Sequence, residues 1–239
     1  MTITSKSNQH LIEIRRLAAA SARERSGRFA VEGEDLVMAA DAAGFSPVFI
    51  LRARGFEGPC PPGALEVEPE LLASVSAVRS GSRVLGVFEQ RWAPRASGPL
   101  AVALWGVRDA GNVGTVIRSA RAFGASCVAL GPGCADPYGP RATRASMGAI
   151  FAVALAAVED VHELPGTVIA LAPGAGEPLR GPLAASATLL IGGERDGLSA
   201  PTLASAGEVR SIPQARGDSL NAAMAATVAL YEATRMADR

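Results

Sequence analysis

The 239-residue chain has two histidines, three cysteines and one lysine, and each scarcity removes a kind of chemistry. Cys60, Cys127 and Cys134 form an odd set with no CxxC spacing, which argues against a disulfide framework and against a structural zinc site. No metal is expected, and a reducing cytoplasm is the implied setting. His10 and His162 fall in none of the motifs below, so a histidine base is discounted. Long apolar runs are also missing. The longest mostly apolar stretch, Ala145 to Val158, is too short to span a bilayer and is interrupted by Ser146. The opening MTITSKSNQH is polar and lacks the apolar run of a signal peptide. No membrane association is expected. Net charge is zero, so the chain fails the first test for a basic nucleic-acid binder.

What is present points to a folded protein. At 49% hydrophobic and 19% charged content, the chain is long enough for one large or two modest domains and too apolar for disorder. The charge is uneven. Through Arg28 there are six basic residues (Lys6, Arg15, Arg16, Arg23, Arg25, Arg28) against two acidic ones (Glu13, Glu24), an excess of four. This stripe faces RNA, with Arg15 and Arg16 as candidate contacts, or it is the solvated side of an ordinary amphipathic helix. Charge alone leaves both open.

Periodicity predicts a helix over residues 8–20, a strand from Arg28, and a helix over Glu34 to Ala43 closed by Gly44. Strands follow from Pro47, Leu65 and Val84. RWAPRASGP, Arg91 to Pro99, has two prolines, a glycine and no period, and marks a boundary between domains at 1–94 and 98–239. Beyond it, apolar runs at Leu100 to Leu104, Cys127 to Leu130, Thr167 to Ala172, Thr188 to Ile191 and Glu208 to Ile212 alternate with helical patterns. The expected fold class is therefore α/β, a parallel-sheet domain preceded by a smaller α/β domain. A last helix is expected over Asp218 to Ala237, with Leu220, Met224, Val228 and Tyr231 at helical spacing as core or interface residues.

Three segments carry chemistry. WGVRDAGNVGTVIRSARAFGA, Trp105 to Ala125, reads as strand, glycine-containing turn and helix, with Asn112 placed to cap the helix and Arg118 and Arg121 one turn apart. Such a helix start suits an anion, yet a plain strand-turn-helix with solvated arginines explains it equally. TLLIGGERDGLSAPTLASAG, Thr188 to Gly207, runs an apolar strand into Gly192 and Gly193, then Glu194 and Gly197; glycines at the carboxyl end of a parallel strand mark a close approach of ligand or backbone. VRSIPQARGDSLNAAMAATVALYEA, Val209 to Ala233, ends a strand at Ile212 and Pro213 and opens the last helix near Ser219 and Asn221. Ser219 or Asp218 as a simple N-cap is the bland reading there.

In order and spacing the three segments resemble the signature motifs of the SpoU (TrmH) class of SPOUT RNA ribose methyltransferases. The first resembles Asn-x-Gly-x-x-x-Arg through Asn112, Gly114 and Arg118. The second resembles Gly-x-Glu-x-x-Gly through Gly192, Glu194 and Gly197. The third resembles Ile-Pro followed by Ser-Leu-Asn, through Ile212, Pro213, Ser219, Leu220 and Asn221. RATRASMGAIF, Arg141 to Phe151, is similar to the family's Arg-Ala-Ser-x-Gly-Ala helix. The likeness covers the second domain and extends more weakly to SKSNQHLIEIRRL and FAVEGEDLV in the first. Arg195 departs from it, standing where the pattern usually has glycine, as does Gln214 where methionine is common.

The resemblance implies a deep trefoil knot in the second domain and a bent S-adenosylmethionine (SAM) held by Leu171, Gly192, Ile212 and Leu220. It implies a catalytic set of Asn112, Arg118, Glu194, Ser219 and Asn221, RNA contacts from Arg15, Arg16, Arg121 and Arg144, and a homodimer. The first domain would be the RNA substrate-binding unit. The implied activity is 2′-O-ribose methylation of structured RNA in the cytoplasm, ribosomal RNA before transfer RNA. The rivals are a knotted RNA-binding module without activity and a nucleotide-dependent oxidoreductase resting on Gly131-Pro132-Gly133. The latter lacks its third glycine.

Overall fold

The computed structural model describes residues 2–78, 81–183, 186–216 and 220–235. In chain order the elements are α1 (Gln9–Leu17), α2 (Ala20–Ser26), β1 (Arg28–Glu32), α3 (Glu34–Ala42), β2 (Pro47–Ala53), β3 (Leu65–Val67), α4 (Pro69–Ala73) and β4 (Val84–Glu89). There follow β5 (Leu100–Trp105), α5 (Ala110–Ala122), β6 (Cys127–Leu130), α6 (Pro140–Ala145), β7 (Ala154–Ala157), β8 (Thr167–Leu171), β9 (Glu177–Pro178), β10 (Ala187–Gly192), α7 (Ala200–Ala204), β11 (Glu208–Ser211) and α8 (Ala222–Thr234).

Contacts divide the chain into two compact units. One is Met1–Gln90 with Asp136–Phe151; the other is Arg91–Ala135 with Ala152–Arg239. Residues 136–151, which the sequence puts inside the second domain, thus belong to the first unit. A buried charge and an aromatic cluster explain the difference. Arg23, only 4% exposed, donates to Asp136 at 2.7 Å, and the rings of Tyr138 and Phe151 lie 4.7 and 6.0 Å from that of Phe29. The same arginine interrupts the helix expected over 8–20. Its guanidinium takes the carbonyls of Leu17 and Ala18, which a continuing helix would need, so α1 stops and α2 starts afresh.

The first unit holds a four-stranded sheet in the order β1-β4-β2-β3, with β4 antiparallel to both neighbours. Alternation on β1 buries Phe29 and Val31, while the central β4 is buried on both faces. Asn8 caps α1 by accepting from the His10 amide, and Leu11, Ile14 and Leu17 fall on the one face of α1 that enters the core.

In the second unit the strands run β7-β6-β5-β10-β8-β11-β9, parallel throughout. β6 is buried along its whole length, as a parallel strand covered on both faces must be. Two of these strands are absent from the sequence reading. β7 lies inside the apolar run at 145–158, which shows no period of its own, and β9 is a two-residue edge strand ending in proline. The RATRASMGAIF segment also departs from a single helix: α6 ends at Ala145, Met147 is left-handed at φ 48°, and a short 3-10 turn follows.

α8 packs its small residues inward, with Ala222, Ala223, Ala226 and Ala229 buried, and Ser119 of α5 meets Thr227 at 2.7 Å. Met224, Val228 and Tyr231 on its other face, with Leu220 just before the helix, are 52%, 42%, 54% and 38% exposed, so of the core or interface expected of them the core is excluded.

Candidate active site

The carboxyl ends of β8, β10 and β11 and the start of α8 enclose a cavity of about 360 Å³. All four positions expected to hold a cofactor, Leu171, Gly192, Ile212 and Leu220, line it. Its size is within the range of small-molecule sites, and its place outside the carboxyl ends of parallel strands is the usual one for α/β folds. Glycine at 192 is sterically required. A Cβ there would stand 2.4 Å from the Gly197 carbonyl carbon, because the loop folds back on itself through a Gly197 amide to Gly193 carbonyl bond of 3.1 Å.

The α5 end is built differently from expectation. Asp109, not Asn112, caps the helix, accepting from the Asn112 amide at 3.0 Å. Asp109 alone has the extended backbone a cap needs, and Asn112, three residues on, is already in the first turn. This frees the Asn112 side chain for a network with a forced direction. The first amides of α8 are bare donors, so Asn221 turns its Oδ1 to those of Ala223 and Met224, at 2.9 and 3.3 Å. Its Nδ2 must then donate, and Asn112 Oδ1 accepts at 3.2 Å. Asn112 Nδ2 in turn donates to the Glu194 carboxylate at 2.5 Å. Three residues spread over 109 positions are thereby locked together, each orienting the next. Ser219 lies outside the described residues.

Arg118 and Arg121 stand on α5 beyond this network, both exposed, and among the described residues neither makes a hydrogen bond or ion pair. In the first unit, Arg15 donates to the Lys6 carbonyl at 3.1 Å and lies 3.5 Å from Ser74 Oγ, while Arg16 and Arg144 are exposed. Arg23 and Arg28 do not extend the basic stripe outward, since they pair with Asp136 and Glu13. Cys134, beneath the site, donates its thiol proton to the Leu104 carbonyl at 3.1 Å, and burial pushes its pKa up, so it is no thiolate nucleophile. Among the described residues no cluster of metal-binding side chains occurs and no helix is long and apolar enough to cross a membrane.

A second cavity, of about 450 Å³, shares the Gly193–Gly197 loop with the first and is not predicted by the sequence. Arg108 and Asp109 of the β5–α5 loop face Glu194, Arg195 and Asp196 across it. The two loops touch backbone to backbone: a Cβ on Gly193 would lie 2.4 Å from the Gly106 carbonyl oxygen. The only hint in the sequence was that these charges flank motif residues.

The sequence profile of the SpoU rRNA Methylase family matches residues 99–231. An uncharacterized tRNA/rRNA methyltransferase of Mycobacterium tuberculosis is 35% identical over 176 residues, 68% of this chain but 55% of that protein. This chain thus spans little more than half the length of that curated relative. The 23S rRNA (guanosine(2553)-2′-O)-methyltransferase RlmP of Bacillus subtilis is 25% identical, covering 96% of this chain and 97% of its own. The crystal structure of an AdoMet-bound rRNA methyltransferase from Sinorhizobium meliloti superposes with a TM-score of 0.86 at 31% identity, over 98% of this chain and 97% of that one.

Proposed function

The chain belongs to the SpoU rRNA Methylase family, and from that premise we propose that it transfers a methyl group from S-adenosylmethionine to a ribose 2′-hydroxyl of ribosomal RNA. The observation that carries this reading is the Asn221–Asn112–Glu194 network beside a cavity walled by Leu171, Gly192, Ile212 and Leu220. The cavity suits the cofactor. Leu171, Ile191, Ile212, Leu220 and bare glycine backbone form one part of its wall, which fits a flat adenine held by main-chain groups, and Glu194, Arg195, Asp196 and Gln214 form the polar part. Bound there, the cofactor supplies a methyl on a sulfonium, which an attacking oxygen takes as the carbon–sulfur bond breaks.

The residues of this chain have the remaining tasks, which are to align the hydroxyl and let its proton go. Arg118, a guanidinium with five donors and no acceptor, grips and polarises the target ribose and its phosphate while that phosphate accepts or relays the proton. Asn112 and Asn221 orient the ribose, each held by the other, and Glu194 anchors the chain of amides. Ser219, between Leu220 and the Ile212 loop in sequence, joins this set.

Arg15, Arg16, Arg121 and Arg144 contact RNA, with residues 1–94 as the substrate-binding part. Exposed Met224, Val228 and Tyr231 on α8, with Leu220 just before it, support a homodimer through α8, since large apolar side chains grouped on a surface favour burial. Strand order supports the knot: β10 enters between β5 and β8, both earlier in the chain, and α8 then returns onto α5 and β10. The working place of such an enzyme is the cytoplasm.

The test is methyl transfer from radiolabelled S-adenosylmethionine to total rRNA and tRNA, with alkaline-resistant linkages mapping the ribose mark. Label in rRNA that Arg118→Ala abolishes is the expected result. Label confined to tRNA would move the substrate, and cofactor binding without label in any RNA would replace the enzyme by a binding module.

A further inference from the structure

The cavity between the Gly106–Asp109 loop and the Gly193–Gly197 loop is not used by the reaction as described, and its lining is unusual. Three carboxylates, Asp109, Glu194 and Asp196, face two guanidiniums, Arg108 and Arg195. Asp109 and Glu194 are each engaged by Asn112. Among the described residues Arg108, Arg195 and Asp196 make no hydrogen bond or ion pair, and all three are exposed. This leaves two forked donors and one acceptor.

We infer that this cavity receives the base of the nucleotide whose ribose is methylated, and that Arg108, Arg195 and Asp196 select guanine there; the inference rests on the reading of the chain as an RNA ribose methyltransferase.

Position is the first argument. Gly193, Glu194, Arg195, Asp196 and Gly197 line both this cavity and the cofactor cavity, while Arg108 lines this one alone, and Glu194 also holds Asn112. A ribose oriented by Asn112 therefore has its base within reach. Size is the second: about 450 Å³ accommodates a purine with part of its sugar. The third is charge. Three carboxylates against two guanidiniums repel a phosphate, whereas mixed donors and acceptors match a neutral base edge. Guanine alone presents O6 and N7 to one guanidinium fork while offering adjacent N–H donors to a carboxylate. Adenine puts a donor where guanine has O6, and uracil offers a single N–H. Finally, Gly106 and Gly193 keep the floor free of side chains.

The test digests rRNA labelled by the full-length protein to 2′-O-methyl nucleosides and measures kcat/KM on that RNA for the wild type, Arg108→Ala, Arg195→Ala and Arg195→Lys. The label is expected in 2′-O-methylguanosine. Each alanine variant should lower kcat/KM about tenfold, the size of one lost bidentate base contact, and mark other bases more often. Arg195→Lys should not restore selectivity, since an ammonium lacks the fork. Arg108→Ala, at a residue that does not line the cofactor cavity, should bind labelled S-adenosylmethionine as the wild type does. Label in another nucleoside, or alanine variants within about twofold of wild type in rate and base choice, overturns the inference and leaves the methyltransferase standing. A wild type that methylates no RNA removes the proposed function, and the inference with it.

Discussion

Arginine serves two purposes in this molecule, seen in five residues of the first unit and four of the second. In the first, Arg23, Arg28, Arg52, Arg54 and Arg83 are each tied to a carboxylate. Around the glycine loops of the second, Arg108, Arg118, Arg121 and Arg195 have no ion-pair partner among the described residues. A charge whose partner is internal maintains the fold. One held at a cavity rim without a partner keeps its donors for a ligand, at the expense of local repulsion. Exposure alone does not separate the two: Arg54 and Arg83 have side chains 60% and 67% exposed yet are paired.

The contrast is broken most directly at Arg23. Arg23→Ala should destabilise the first unit by about 3 kcal/mol, because it strands Asp136 and frees two helix carbonyls; Asp136 is partly solvated, which holds the loss to the low end for a broken buried pair. Thermal unfolding reads this, and an unchanged melting temperature would sink the idea that Arg23 anchors residues 136–151. Arg118→Ala is the opposite case. Methyl transfer should fall about a hundredfold, as for loss of one charge-stabilising donor, while stability moves by less than about 0.5 kcal/mol. A drop in both together would make Arg118 structural.

Gly193→Ala should cost about 2 kcal/mol, since its methyl has nowhere to go against the Gly106 carbonyl, and should open both cavities. Its signature is joint loss of cofactor affinity and melting temperature. On α8, Tyr231→Glu or Met224→Glu should weaken self-association by about thirtyfold, the effect of one interface hot spot, and sedimentation equilibrium would show monomer; a wild type already monomeric refutes the dimer. Smallest of all, Arg54→Ala should change stability by no more than about 0.5 kcal/mol, as exposed pairs do. If it costs as much as Arg23→Ala, burial is not what distinguishes them.

The same division explains what could be read from the sequence. Leu171, Gly192, Ile212 and Leu220 are legible only through the resemblance of the motifs around them, and the structure gathers them around one cavity. Asn112 was legible as important but not as what it is. Asp109 and Asn112 are both good caps three residues apart, and only Glu194, 82 positions away, decides that Asn112 turns outward. Residues 136–151 were misassigned for a similar reason: the Arg23–Asp136 pair spans 113 positions. β7 had no alternation to reveal it, and β9 owes its existence to the register Arg210 with Glu177 rather than to its own two residues. Short-range signals identify which residues matter, while long-range pairing decides what each one does.

The order of strands has a consequence in time. β10 is the middle of the seven-stranded sheet, pairing Ala187 with Leu100 on one side and with Thr167 on the other, so it joins two halves that have no hydrogen-bonded contact without it. A ribosome emits β5, β6, β7 and β8 first, and they must wait as separate, unsealed pieces until β10 emerges. Pairing across 87 positions is slow, because loop closure must precede any reward from contact. During that wait the exposed flanks of β5 and β8 are the chain's most vulnerable surface. Glu194 and Asn221 arrive after β10, so the last steps that close the sheet also assemble the site. A nascent chain stopped short of Ala187 should therefore be captured by holdase chaperones rather than accumulate as a folded, partly competent fragment.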